Sequence, residues 1–159
     1  MKIKIIAVGT TKDAFLKMGC DEYIKRIKPY SNIEIIEVKD EKMSDHPSEA
    51  EILKAKVLEG QRISKQIKQA DYVINLDLNQ KEFDSVSFAS FLDKTFEKGN
   101  SQITFIIGGS YGLSDDIKNR ANDAISLSKL TFLHTMTRLI LLEQIYRAFK
   151  INNNETYHK

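Results

Sequence analysis

The segment 102–107 constrains the fold more than any other part of this 159-residue chain. Its sequence, QITFII, has four apolar residues out of six and runs into Gly108 and Gly109 without a polar spacer. This near-continuous apolar character is typical of parallel strands that helices cover on both faces. A glycine pair directly after such a strand leaves bare backbone that a ligand can approach. The segment therefore predicts a parallel α/β sheet with a binding site at its edge.

Apolar residues along the rest of the chain alternate between strand spacing and helical spacing. The predicted strands cover 2–8, 32–38, 71–76, 102–107 and 124–127. The predicted helices cover 12–27, 48–67, 85–97, a short segment from Ser114, and 135–150, with a loop over 39–47 and a polar turn through Gln80 and Lys81. Strands that alternate with helices imply a mostly parallel sheet flanked by helices, and the length fits a single domain over 1–159.

Two predicted helices have apolar faces that indicate how they pack. In the segment 12–27, the apolar side chains at helical spacing are Phe15, Met18, Tyr23 and Ile27. The segment 135–150 is apolar nearly all round its middle, because one apolar stripe is widened by Ile140, Leu141, Ile145 and Ala148. A helix with such a wide apolar surface needs more than one neighbour. We expect the surplus face to pack against a second subunit.

Composition narrows the class of protein. Hydrophobic residues make up 42% of the chain and charged residues 29%, as in ordinary globular proteins. The single Cys20 cannot form a disulfide within the chain, and the three histidines lie too far apart in sequence to suggest metal-ligand spacing. The apolar run at the start is too short for a signal peptide or a membrane span. We therefore expect a cytoplasmic protein with no metal and no membrane partner.

Charge is distributed unevenly along the chain. The formal net charge is +2, from 24 basic and 22 acidic residues. Residues 118–159 contain seven basic and three acidic side chains, a balance of +4, so residues 1–117 carry −2. A basic final part fits an anionic partner, but it is equally compatible with a solvated surface.

The glycine segment 108–112 has three possible interpretations. Open parallel sheets bind ligands at the carboxyl ends of their strands, and two predicted strands end at Leu76 and Ile107. The segment lacks the lysine and hydroxyl residue of a P-loop, and its glycine spacing differs from the dinucleotide-binding pattern. Taken alone, it is compatible with a tight turn, a phosphate cradle or a cofactor site.

Several segments taken together are more specific. They are 5–9 (IIAVG), Leu76, 107–112 (IGGSYG), 127–132 (LSKLTF), His134, Arg138, 143–148 (EQIYRA) and 157–159 (YHK). On these residues, and over essentially its whole length, the chain resembles the SPOUT-class methyltransferases. It closely resembles the small family that methylates N3 of a pseudouridine in large-subunit ribosomal RNA. It departs from that family beside His134, where proline is expected and this chain has Leu133 and Thr135.

The resemblance implies an α/β fold whose C-terminal part is threaded as a trefoil knot, and a homodimer that binds S-adenosylmethionine in the knot. It assigns cofactor binding to Leu76, Gly108, Gly109, Leu127, Ser128, Lys129, Leu130, Thr131 and Phe132. It assigns catalysis to His158, Tyr157 and Arg147. It leaves His134 and Arg138 as structural or RNA-positioning residues, which we expect to bind substrate.

Some of these residues have plainer explanations. Leu76, Leu127, Leu130 and Phe132 could simply be core. Residues at a chain terminus are often frayed. An arginine on an apolar helix has either a carboxylate partner or a ligand, and for Arg147 we expect RNA phosphate or the base. His134 could be a capping or core histidine.

The function implied by the resemblance is S-adenosylmethionine-dependent methylation of a pseudouridine N3 in 23S ribosomal RNA. The chain has no recognisable RNA-binding domain, so we expect the substrate to be an assembled ribosomal particle. The alternative is a non-enzymatic ribosome- or RNA-binding module with the same fold.

Overall fold

The computed structural model describes residues 1–159 as five strands and five helices. The strands are β1 (Lys2–Val8), β2 (Asn32–Val38), β3 (Tyr72–Glu82), β4 (Gln102–Ile107) and β5 (Asp123–Ser126). The helices are α1 (Ala14–Ile27), α2 (Glu49–Ser64), α3 (Ser85–Glu97), α4 (Asp115–Arg120) and α5 (His134–Asn152). No helix is long and apolar enough to cross a membrane.

All five strands are parallel and form one sheet in the order β2-β1-β4-β3-β5. The predicted α/β fold with a parallel sheet flanked by helices is thus confirmed. Because β4 lies in the middle, its apolar run is covered on both faces, and 103–107 are all buried. Parallel strands place their carboxyl ends at one edge, so the segments that follow β3, β4 and β5 meet there.

Side chains of β1, which lies between β2 and β4, alternate between two separate cores, as strand geometry requires. Ile3, Ile5 and Ala7 face the larger core, to which α1, α3 and α5 contribute. Ile6 and Val8 face a smaller core that includes Ile63 of α2 and Ile117 of α4.

Helix α5 packs against both α1 and α3. Consequently Leu141, Ile145 and Ala148 are completely buried inside the chain, whereas Ile140 is only partly buried. The prediction that this face packs against a second subunit is therefore wrong for three of its four residues. The additional neighbours are two helices of the same chain.

The apolar face predicted for the first helix is also partly wrong. Phe15 and Met18 are exposed, and the helix packs through Leu16, Cys20 and Ile27. Gly19 explains the close approach of α5, since a Cβ there would lie 3.0 Å from a methyl carbon of Leu139. The sequence pattern could not show which apolar residues these contacts would cover.

One predicted turn belongs to a strand. β3 continues past Leu76, and Lys81 and Glu82 pair with β5 after an irregularity in register. Asn79 has φ of 60° at this irregularity. The prediction of a polar turn through Gln80 and Lys81 is therefore wrong. Pairing with β5 compensates for the poor strand propensity of these residues.

Lys4 and Asp71 form a buried ion pair, and Lys4 lies on the face of β1 that carries the smaller core. Lys4 Nζ donates to Asp71 Oδ2 at 2.8 Å, and the two side chains are 4% and 3% exposed. The same carboxylate oxygen accepts from the Lys68 amide and the Thr104 hydroxyl. Burial acts to raise the pKa of Asp71, but these partners outweigh it and hold the pKa below its ordinary value of 3.8.

Replacing Asp71 by Asn should lower the free energy of unfolding by about 3–5 kcal/mol at pH 7, because Lys4 would be left buried without its counter-charge. Since the folded-state pKa is depressed, the carboxylate's contribution is present above pH 3.8 and is lost as the pH falls through the folded-state pKa. Urea titrations of the wild-type protein and the Asp71→Asn variant at pH 7 and pH 3 measure the free energy of unfolding. Asp45→Asn, at an exposed loop position, is the control, and equal loss in the two variants would contradict the assignment.

Candidate functional site

A cavity of about 640 Å³ opens at the carboxyl edge of the sheet, where Leu76 to Leu78 of β3 and the loops after β4 and β5 meet the start of α5. Eight of the nine residues predicted to bind a cofactor line it: Leu76, Gly108, Gly109, Leu127, Ser128, Leu130, Thr131 and Phe132. Lys129 is exposed and does not line it. A cavity of this size accommodates a small molecule.

The glycines after β4 are required by the loop itself. A Cβ on Gly108 would lie 3.1 Å from the carbonyl carbon of Gly112, and Gly112 has φ of +88°. Gly109 lies against a buried carboxyl, since a Cβ there would be 3.1 Å from Glu59 Oε1. The tight-turn interpretation and the ligand-site interpretation are therefore compatible, because one loop does both.

The segment between β5 and α5 forms the opposite wall of the cavity. The Ser126 hydroxyl donates to the carbonyl of Asp77 at 2.5 Å and accepts from the Gln80 amide at 2.9 Å. These bonds join β5 to the extended part of β3. Leu130 and Leu133 are 71% and 57% exposed at the mouth of the cavity. Apolar side chains so exposed beside a cavity are typical of a surface that a ligand or partner covers.

Arg138 is buried and connects α5 to the ends of β1 and β2. One terminal nitrogen donates to the carbonyls of Val8 and Gly9, at 2.9 and 2.7 Å. The other donates to the Thr11 hydroxyl and to Glu37. Only Nε has no partner, and the side chain is 2% exposed. Both terminal nitrogens are thus used within the chain, and the expected contact between this guanidinium and substrate stays a prediction. This placement favours the structural role.

His134, the first residue of α5, lines the cavity and lies against Gly9. Burial, followed by the positive charge of Arg138, lowers the pKa of His134 below its ordinary value of 6.5. Its imidazole is therefore mainly neutral at pH 7 and can donate or accept a hydrogen bond to a molecule in the cavity.

Tyr157 is held against α5 rather than frayed. Its hydroxyl donates to Glu143 Oε1 at 3.1 Å, and its ring lies edge-on to Tyr146 with 4.8 Å between centroids. The guanidinium carbon of Arg147 lies 4.7 Å from the centre of the same ring. Burial, then the Tyr23 hydroxyl and the Glu143 carboxylate, raise the pKa of Tyr157 above its ordinary value of 10, so its phenol keeps its proton.

His158 completes the cluster, with Nδ1 3.2 Å from Arg147 NH1. It is exposed and lines a second cavity of about 560 Å³. Leu127 and Phe132 line both cavities, so the two adjoin. The structure therefore brings together the three residues predicted for catalysis, beside the cavity that holds most of the predicted cofactor residues.

Glu143 was not among the predicted site residues, yet it organises this cluster. Its Oε1 accepts from Arg147 Nε at 3.0 Å, from Arg147 NH2 at 2.5 Å and from the Tyr157 hydroxyl. Arg147 thus has the carboxylate partner that the sequence left open as an alternative to a ligand. The i, i+4 spacing of Glu143 and Arg147 on one helix was the signal that could have shown it.

No group of three or more His, Cys, Asp or Glu side chains is arranged to hold a metal ion.

Replacing Glu143 by Ala should loosen the C-terminal segment, because the Tyr157 hydroxyl and Arg147 lose their shared acceptor. Losing bonds to a charged group costs about 1.5–3 kcal/mol, so amide exchange over 155–159 should accelerate about tenfold or more. Hydrogen-exchange mass spectrometry measures this, with Glu97→Ala at an exposed position of α3 as the control. Unchanged exchange in the Glu143 variant would show that the segment is held by other contacts.

Comparisons with known proteins identify the family of this chain. Residues 1–158 match the family model described as predicted SPOUT methyltransferase. The chain is 50% identical to a protein of an Exiguobacterium species and 46% identical to proteins of Bacillus thuringiensis and Enterococcus faecalis. Each alignment covers 100% of both chains, and each relative is named ribosomal RNA large subunit methyltransferase H.

Among solved structures, the fold is similar to that of a probable methylase family protein from Haemophilus influenzae. The TM-score is 0.54 at 13% identity, over 99% of this chain and 70% of the other. This likeness supports the fold alone. The match to the family over nearly the whole chain, together with the full-length relatives, shows that this protein belongs to the SPOUT methyltransferases.

Proposed function

We propose that this protein methylates N3 of a pseudouridine in 23S ribosomal RNA, with S-adenosylmethionine as the methyl donor. The observation that carries the proposal is the adjacency of two features in one chain. The glycine-walled cavity lies beside the Arg147, Tyr157 and His158 cluster, and the full-length relatives are named as ribosomal RNA methyltransferases.

The residues of the cavity fit S-adenosylmethionine. Apolar side chains such as Leu76, Leu127 and Phe132 suit the adenine ring, and the bare backbone at Gly108 and Gly109 offers polar groups at close range. Leu76, Gly108 and 127–132 would hold the molecule. When bound, it would supply a methyl group from its sulfonium. The sulfur then departs as a neutral thioether, so the transfer requires no metal.

The chain's own residues would align the base and favour loss of its N3 proton. Arg147 places a positive charge next to His158, and Tyr157 adds a protonated phenol to the same cluster. Donors and positive charge near a ring nitrogen stabilise its deprotonated form, and accurate positioning supplies much of the remaining acceleration. His134 lies where it can contact the substrate or the cofactor.

Three further features belong to the proposal. The C-terminal part would be threaded as a trefoil knot, as the resemblance implies. The protein would act as a homodimer, and the exposed apolar residues Phe15, Met18, Leu130 and Leu133 offer surface for the partner. A small domain of modest charge binds isolated RNA weakly, so the substrate would be an assembled ribosomal particle in the cytoplasm.

Incubating the protein with labelled S-adenosylmethionine and ribosomes lacking the modification should place label in a single nucleoside of 23S RNA. Nuclease digestion and mass spectrometry identify that nucleoside. His158→Ala should reduce the rate by about 10²-fold or more while cofactor affinity stays the same. His46→Ala, at an exposed loop position, is the matched control. RNA binding without any label transfer would favour the non-enzymatic module instead.

Gly108→Ala should weaken S-adenosylmethionine binding by about tenfold or more, about 1.4 kcal/mol. The added methyl group would meet the Gly112 backbone at 3.1–3.2 Å, so the loop must shift. Titration calorimetry measures the affinity, and thermal melting checks that the variant is folded. Ser101→Ala, in the exposed turn before β4, is the control. Unchanged affinity in the glycine variant would place the cofactor elsewhere.

A further inference from the structure

The contact between Arg147 and His158 determines which imidazole nitrogen carries the proton. A guanidinium has only N–H donors and stays protonated in proteins, so Arg147 NH1 must donate in this contact and His158 Nδ1 must accept. A nitrogen that accepts carries no proton. The neutral ring therefore has its hydrogen on Nε2.

The direction of the guanidinium is itself held by several contacts. Nε and NH2 of Arg147 both donate to one oxygen of Glu143, which leaves NH1 facing His158. The planar group also lies over the ring of Tyr157, whose hydroxyl bonds to the same Glu143 oxygen. The planar geometry of arginine makes this orientation more specific than a lysine could provide.

We propose that His158 acts as a hydrogen-bond donor through Nε2–H, and that it is not the base that removes the N3 proton. Glu143 is then a positioning residue that acts through Arg147. This inference rests on the proposed function. In a uracil ring, a carbonyl flanks N3 on each side, and the negative charge left by deprotonation spreads onto these oxygens. A donor placed on one of them stabilises the anion that attacks the methyl group.

The proton has another destination. To act as a base at Nδ1, His158 would have to give up the bond from Arg147 and place an added positive charge against a guanidinium. In the second cavity, which His158 lines, Asp84 is the only other ionisable side chain. Hydrogen bonds, first that from the Ser87 amide, hold the pKa of Asp84 below its ordinary value. Such a carboxylate is a weak base. The N3 proton leaves to water, the electron pair left on nitrogen forms the bond to the methyl carbon, and the pair of the broken carbon–sulfur bond stays on sulfur.

Three substitutions at His158 separate a donor from a base. The amide of Gln reaches the position of Nε2 and keeps an N–H there, whereas the amide of Asn lies nearer the position of Nδ1 and Ala has neither. Single-turnover methylation of ribosomes should fall about 10²-fold or more for Ala and Asn, and less than about tenfold for Gln, since only Gln keeps the donor. Equal loss in Gln and Ala would overturn the proposal, because neither can act as a base.

A spectroscopic measurement tests the tautomer without turnover. Imidazole ¹⁵N resonances, assigned to His158 with the His158→Gln variant, should show Nε2–H and an unprotonated Nδ1 in the wild-type protein. Glu143→Gln and Arg147→Met should shift the Nδ1 resonance, whereas Glu97→Gln should not. A protonated Nδ1 in the wild-type protein would overturn the proposal. If the wild-type protein transfers no methyl group to RNA, the proposed function fails instead, and the two failures are distinguishable.

Discussion

The buried guanidinium of Arg138 is the interaction on which the rest of the site depends. It joins α5 to the carbonyls of Val8 and Gly9 at the end of β1, and to Glu37 on β2. Taking a charged group out of water is costly unless it is paired, and here four acceptors compensate. Because α5 carries His134 at its start and Glu143 and Arg147 further along, this anchor positions one wall of the cavity together with the residues that hold Tyr157 and His158.

The second constraint is the parallel direction of all five strands. It places the part of β3 from Leu76 to Leu78 and the loops after β4 and β5 at one edge, where each contributes a wall to the same cavity. The loop after β4 can be so compact because Gly108 has no Cβ to meet the Gly112 backbone, and because Gly112 adopts a φ of +88° that residues with side chains rarely adopt. The carboxylate of Glu59 lies behind Gly109 and accepts from the Glu41 amide at 2.9 Å. Burial, as the largest cause, raises the pKa of Glu59. The loop is thus supported from the α2 side as well.

Local patterns and tertiary contacts differ in what they predict. Five strands and most helix boundaries follow from apolar spacing and glycine positions, as in β4, which was predicted at 102–107 and observed there. The faces of α1 and α5 did not follow, because each helix has several apolar residues that could turn inward. Phe15 and Leu16 are neighbours in sequence, and only the tertiary packing of α1 decides that Leu16 is buried and Phe15 exposed.

By itself, the sequence determined the fold class, the glycine loop, the residues around the cavity and the family resemblance, since all of these depend on short segments with strong local chemistry. The tertiary structure decided what the charged residues do. Arg138 and Arg147 look alike in the sequence, yet one is enclosed by four acceptors and the other presents a free N–H to His158. Hydrogen-bond partners such as Val8 and Arg138 lie 130 residues apart. Spacing along the chain carries no information about such pairs, because the sheet and the helices must first bring them within bonding distance.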